Sequence, residues 1–395
     1  MANILLTGGR APAALELARI FHKQGHVVFM AESARGHLSE PSRALKVNYW
    51  VPPPRQQTGA FLEALRQIVI RDEIDLLIPT CEEVFYVGMG RSCLPCKVFA
   101  ESIEKLQGLH NKWSFALHAS DLGLAVPESF LIRTTQELML AFAQWQKLII
   151  KPVYSRFATR TLIEPTIKQA LNLVTFDSAA QWVAQELIPG TEICTYSVVQ
   201  RGRLTAHSAY RSDFTAGRGA AVVFQPLTHQ GTFDWVQRFV AAIGFTGQIA
   251  FDFIETPDGE VNALECNPRA TSGVHLFASQ PEFANAFLDD SSPCVTPALK
   301  KASAMLSTGM LVYGLGASLK KRRLWKWLQT ILSSRDVIFD VLDPLPYLLQ
   351  WRGILAYLKL GRMHRLSLLA ASTFDIEWNG EDIDLDNSNK EKTTS

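Results

Sequence analysis

No apolar stretch of this 395-residue chain approaches the roughly 18 uncharged residues that a membrane-crossing helix needs, so no spanning helix is expected. The first apolar run, residues 4–7, is too short for the core of a secretory signal and has no basic lead-in, which points to the cytoplasm. Excess charge is also missing. A net charge of +1 gives no support to a polyanion partner, and no nucleic acid is expected. The six cysteines include one CxxC, Cys93-Leu-Pro-Cys96. It has neither a second pair at zinc-ligand spacing nor a thioredoxin-like setting, so reduced structural thiols are expected. Charged residues are sparse, 19% against 47% hydrophobic, which excludes global disorder and leaves room for a large core. The length fits two or three domains.

A dinucleotide fingerprint is absent too. The first strand-to-helix turn reads Gly8-Gly9-Arg10-Ala-Pro12 and does not form GxGxxG. Arg10 and the helix N-terminus favour an anion there, such as a carboxylate substrate, and Glu32 stands where a ribose could be held. What is present is alternation. Strands at 4–7, 27–31 and 76–79 interleave with helices at 13–24 and 61–71, the pattern of a parallel sheet with crossover helices. Further on, helical spacing covers 106–122 and 136–145, and 148–152 reads as a strand carrying Lys151. Strands follow at 183–188, 192–199 and 204–211, then a helix at 233–243.

The stretch 247–265 reads as a hairpin closed by Asp258-Gly259, a two-residue type I′ signal. That register sets Asp252 directly across from Glu265, with Asn267 on the same face. Two carboxylates and an amide oxygen converging on one surface call for a cation between them. All-oxygen ligands suit Mg²⁺ shared with substrate phosphates, with Mn²⁺ as an alternative. Ile249, Phe251, Phe253 and Leu264 are expected to form the buried opposite face. Arg269, after Pro268, lies just beyond the cluster, where a guanidinium could meet a phosphate.

The phrase Ala-Leu-Glu265-Cys-Asn267-Pro-Arg269 resembles the Glu-x-Asn-Pro-Arg signature of the ATP-grasp superfamily, in its carbamoyl-phosphate-synthetase-like and biotin-carboxylase-like branch. Asp252 stands where many members have Glu. Other matches follow in family order. Lys112 resembles the first phosphate-binding lysine, and Lys151 in Leu-Ile-Ile-Lys-Pro the second, on a lid strand. Gln185-Glu186-Leu187-Ile188-Pro-Gly-Thr-Glu192 is similar to the adenosine hinge, with 186–188 at the adenine edge and Glu192 at the ribose.

The resemblance covers roughly residues 1–280. It implies an α/β chain with a Rossmann-like pre-ATP-grasp domain (1–110) and an α+β ATP-grasp domain (111–300) whose mobile lid spans about 126–188. A helical C-terminal region (301–380) and a flexible tail (381–395) would follow. One departure stands out: the loop after Lys151 has no glycines, so either Ser155, Arg156 and Thr159 replace a glycine-rich phosphate cradle with side chains or the lid is anchored differently. Arg211 or Arg218, in a loop rich in cations and glycine, could touch the triphosphate or a carboxylate. Trp113, Tyr154, Phe214 and His275 are candidates for substrate-pocket walls.

The implied activity is an ATP-dependent carboxylate–amine (or carboxylate–thiol) ligase acting through an acyl phosphate, with ATP and Mg²⁺ as cofactors and small-molecule carboxylate and amine substrates. Catalysis would fall to Lys151 and Arg269. A bicarbonate-activating, biotin-carboxylase-like enzyme is a second reading, ranked lower for want of a biotin-carrier segment. A non-catalytic ATP-binding regulator at a membrane is the third. Beyond residue 300, 320–332 forms a basic amphipathic helix and 347–369 a second Leu- and Trp-rich one. Such helices suit a packed helical cap, the preferred reading, or peripheral contact with an anionic membrane. The sequence leaves a homodimer open and does not identify the carboxylate or the nucleophile.

Overall fold

Ile4, Leu5 and Leu6 have no solvent exposure, as befits a strand covered on both faces. They belong to β1 (Asn3–Thr7) of a computed structural model that describes residues 1–155, 160–176, 181–216, 220–299, 303–320 and 322–381. The expectations for Arg156, Thr159, Arg218 and the tail after 381 lie outside the described residues. β1 is joined by β2 (Val27–Glu32), β3 (Val47–Trp50), β4 (Leu76–Ile78) and β5 (Lys97–Val98) in a parallel sheet of order β3-β2-β1-β4-β5. Helices α1 (Pro12–Lys23), α2 (Thr58–Arg71) and α3 (Glu83–Met89) cover its faces. Pro12 opens α1, where a missing N–H costs nothing, and Gly8, at φ 77°, makes the turn into it. Strand order reverses at β1/β4. The carboxyl ends there, residues 7–9 and 79–83, flank the crevice where open α/β sheets bind ligands.

The helical pattern over 106–122 divides into α4 (Ile103–His110) and α5 (Lys112–Asp121). Asn111 causes the break. Its side chain accepts the backbone N–H groups of Trp113 and Ser114 at 3.1 and 2.9 Å, capping α5 and putting Lys112 in its first turn.

A second sheet is antiparallel, with β6 (Ser129–Ile132), β7 (Leu148–Pro152), β8 (Leu162–Ile163) and β9 (Trp182–Glu186) in the order β6-β9-β7-β8. Capping boxes, Thr134 with Glu137 and Thr166 with Gln169, start α6 (Thr135–Gln144) and α7 (Ile167–Leu173). These helices bury Leu148, Ile150, Trp182 and Ala184. Alternation therefore puts Lys151, Val183 and Gln185 on the opposite face.

The third sheet contains β10 (Thr191–Gln200), β11 (Arg203–Arg211), β14 (Val223–Leu227), β15 (Gly247–Glu255), β16 (Val261–Asn267), β17 (Ala304–Met305) and β18 (Arg335–Asp336). A two-stranded ribbon, β12 (Thr215–Ala216) with β13 (Ala220–Ala221), interrupts the chain between β11 and β14. Helix α8 (Gln230–Ala242) packs Trp235, Val236 and Phe239 on Ile193, Ile249, Phe251 and Phe253. The other face carries Tyr196 and Val198 against α1 and residues 270–288, joining the third sheet to the first.

The C-terminal region is helical but not as two continuous helices. The first basic segment divides into helices Leu315–Lys320 and Leu324–Ser333, with Arg322 at φ 52° between them. The second divides into Leu345–Leu349, Trp351–His364 and Leu368–Ala371, the middle one ended by Arg365 in the left-handed region. The chain then returns to the first domain, where Trp378 is fully buried and stacks on Phe85 at 5.0 Å.

His275, a candidate pocket wall, is instead buried in the scaffold. Its Nδ1 meets Glu16 of α1 at 2.9 Å, and Arg335 of β18 meets the same carboxylate at 2.7 Å. Burial alone would raise the Glu16 pKa, but Arg335 and His275 hold it down to about 2. Because this folded value lies below the ordinary one, the stabilisation is present above about pH 4.5 and lost as pH falls toward about 2. Arg335→Met is expected to cost about 2 kcal/mol at pH 7, a few degrees in Tm. The gap from wild type should narrow steadily in melts from pH 5 down to 3.

Candidate active site

The two lysines singled out in the sequence come from different elements and meet at one carboxylate. Lys112, in the first turn of α5, lies 3.6 Å from Glu265 Oε2 and donates to the Ser155 carbonyl at 3.2 Å. Lys151, on the inner face of β7, donates to Gln185 Oε1 at 3.0 Å and to the Leu264 carbonyl of β16 at 3.2 Å. Both lysines are buried. Burial, then the neighbouring Lys112 charge, pulls the Lys151 pKa down to about 8 against the opposing pull of Glu265 and Asp252.

Asp252 and Glu265 stand directly opposite on β15 and β16. The turn that sets this register differs from the expected one. Pro257–Gly259 form a three-residue loop, in which Thr256 accepts the Gly259 N–H, donates to Glu260, and Gly259 sits at φ 88°. That shifts the pairing near the turn by one residue: Glu255 pairs with Val261, and Phe253 with Ala263. A bulge then leaves Leu264 without a cross-strand partner and restores the expected pairing at Asp252 and Glu265. Leu264 is only half-buried and lies outside the core of the opposite face, contrary to the sequence reading. Its carbonyl is one that Lys151 uses.

The pair is electrostatically unequal. Burial raises the Asp252 pKa, and the facing Glu265 raises it further. Burial works against ionisation of Glu265 as well, but Lys112 and then Lys151 overcome it and hold that carboxylate charged. Cys194, across from Asp252 on β10, supplies a hydrogen bond to the Asp252 carboxylate. Asn267 directs Nδ2 at Glu265 Oε1 at 3.5 Å, while its Oδ1 accepts from Arg269 at 3.2 Å. To act as a ligand, this amide must turn over and release Arg269. Arg269 also approaches the buried Glu82, just past β4, at 3.8 Å. The cluster therefore sits where the third sheet, the second sheet and the β4 end of the first sheet converge.

Two carboxylates and one amide fit Mg²⁺ that is completed by phosphate oxygens. Among the described residues no group of three or more His, Cys, Asp or Glu could cage a metal unaided. At the hinge, Glu186 commits its backbone N–H to Glu128 and Leu187 to Lys147, so neither amide faces a base. Glu192 is exposed on β10, on the Asp252 face.

Two expected residues are not brought to the site. Arg211 is one residue past Tyr210, which lies opposite Cys194, so its side chain falls on the α8 face of the sheet. There it pairs with Glu255 at 2.6 Å, and Glu255 also meets His229 at 2.9 Å. Arg10 is no open anion site, because it is buried between Glu32 and Asp375; Glu32 is thereby taken from the ribose role. Tyr154 and Phe214 pack in cores, the first against Trp378. Sequence reasoning missed Gln185 and Cys194. Strand alternation from Lys151 and Asp252 was the available signal for both.

A doubly wound parallel sheet followed by two sheets that close on a lysine–carboxylate cluster is the ATP-grasp fold, and this chain has it. Among solved structures it is similar to N5-carboxyaminoimidazole synthetase from Staphylococcus aureus, at 13% identity and TM-score 0.62 over 79% of this chain and 84% of that one. Biotin carboxylase from Campylobacter jejuni matches at 12% and 0.57 over 76% and 73%. L-amino acid ligase from Bacillus licheniformis matches at 13% and 0.54 over 71% and 70%. No family model and no curated protein matches the sequence.

Facing Asp252 and Glu265 repel without a cation. Asp252→Asn is expected to raise the Tm of protein without added metal by about 2 °C. Melts of the two proteins side by side check this; a lower Tm in the variant would refute the repulsion.

Proposed function

We propose that this protein is an ATP-dependent ligase that activates a small carboxylic acid as an acyl phosphate and passes the acyl group to an amine, or to a thiol. Support comes above all from Glu265, held ionised between Lys112 and Lys151 and facing Asp252 across one strand pair. The names of the similar structures, two synthetases or ligases and a carboxylase, agree with that class.

In this reading residues 1–110, 111–300 and 301–380 are the working units, and 126–188 is the lid. Asp252, Glu265 and Asn267 would hold Mg²⁺ or Mn²⁺, which would supply positive charge against the phosphoryl oxygens. Lys112 and Lys151 place two cations against the phosphates, and Arg269, once released by Asn267, offers a forked donor to the transferred group. The adenine edge falls to the Ile188 amide and to backbone carbonyls, including that of Glu186, with Leu187 lining the base and Glu192 at the ribose. The substrate carboxylate oxygen attacks the γ-phosphorus, and the bond to the ADP oxygen breaks. The amine then attacks the acyl carbon, phosphate leaves, and the amine proton passes to solvent. Closure of the lid sheet over Lys151 keeps water from the acyl phosphate.

Phosphate release from Mg-ATP, assayed with pools of amino acids and metabolite carboxylic acids, tests the reading. Release is expected with one acid-containing pool and should fall about 100-fold or more in Glu265→Gln. Failure of wild-type protein to bind Mg-ATP would sink it.

A further inference from the structure

Residues 291–374 carry twelve Lys and Arg, three Asp and no Glu, in a chain whose net charge is only +1. Basic charge is thus concentrated in one region of an otherwise acidic chain. The three aspartates are committed internally. Asp336 accepts the backbone N–H groups of Ser307, Ile338 and Phe339, Asp340 pairs with Lys23 at 3.2 Å, and Asp343 with Arg19 at 2.9 Å. Arg335 pairs with Glu16 and Lys326 with Asp213, and among the described residues the helices between 322 and 369 otherwise show solvent a cationic and apolar surface. Of the thirty-three large apolar side chains exposed among the described residues, twenty lie between Leu311 and Leu369.

Helix Trp351–His364 shows the arrangement. One side packs on the protein: Gly353 and Gly361 are buried, and Gly353 lies against the Gly36 carbonyl. At 100° per residue, Trp351, Ile354, Leu355 and Leu358 form a stripe beside that packed side, each between 40% and 54% exposed. Arg352 and Lys359 edge the stripe on its other flank, and Arg362 closes its C-terminal end. Arg352 reaches Glu40 at 3.4 Å. Lys359, Arg362 and Arg365 have no acidic partner among the described residues, and the sequence has no Asp or Glu between Asp343 and Asp375. Helix Leu324–Ser333 repeats the design. Trp327 and Ile331 turn inward, while Trp325 and Leu332, just past Arg322 and Arg323, are 71% and 79% exposed.

No helix among the described residues is long and apolar enough to cross a membrane, so an apolar stripe of this kind lies in the plane of an interface. Tryptophan on the stripe and cations along its edge match the boundary between anionic headgroups and acyl chains. A second copy fits less well, because a two-fold contact through the stripe would bring the Arg352, Lys359 and Arg362 cations of the two copies together. We propose that helix Trp351–His364 docks the protein flat on the surface of an anionic lipid bilayer.

Sedimentation of the full-length protein with phosphatidylcholine vesicles, with and without added phosphatidylglycerol, tests this. Binding is expected to the mixed vesicles only and to fall with salt. Trp351→Ser with Leu355→Ser should abolish it. The triple change Lys359→Gln, Arg362→Gln, Arg365→Gln leaves the apolar surface and the packing in place, and should weaken binding about 100-fold, at about fivefold per cation. No binding to mixed vesicles would overturn the proposal. So would an unchanged affinity in the triple variant, or a concentration-dependent dimer that Leu355→Glu dissolves, which would assign the stripe to a second copy.

Discussion

Glu265 is the charge on which the site depends. A carboxylate on a sheet, facing another carboxylate one strand away, has no reason to stay ionised unless cations surround it. Here they come from two separate elements: Lys112 from the start of α5, and Lys151 from the inner face of the second sheet. Each lysine is buried at a cost that Glu265 offsets, so neither the anion nor the cations would sit comfortably alone. The same electrostatics tie the second sheet to the third.

Backbone irregularities serve that cluster. The bulge at Leu264 restores the pairing of Asp252 with Glu265 after a three-residue turn has displaced it, and it turns out a carbonyl that helps hold Lys151. Asn111 breaks one predicted helix into two, and the break puts Lys112 where a helix N-terminus adds positive potential. Neither feature could be deduced from apolar periodicity, which records the average course of an element but not its interruptions.

Local pattern carried the sequence reading as far as it reached. The strand-and-helix alternation and the Asp252–Glu265 pair were legible because each depends on side-chain period and short separation, whereas Lys112 and Lys151 stood out only through the resemblance. The register survived a wrong turn type only because two one-residue errors cancelled. Arg211 was misplaced because its loop setting concealed a strand parity, and parity decides the face of a sheet that a side chain joins. Arg10 was misjudged for a different reason: its second carboxylate lies 365 residues away, and nothing near Gly8-Gly9 announces Asp375.

That distance has a consequence for how the chain is made. The first sheet has its strands and helices within the opening hundred residues, yet two of its buried positions are completed from the far end. Arg10 needs Asp375, and the space beside Phe85 needs the indole of Trp378. Until synthesis has passed those residues, the first sheet holds a buried guanidinium with one partner instead of two and an open apolar slot. That sheet therefore finishes folding only after a segment some three hundred residues further along has been made, and until then it stays open to chaperones and proteases.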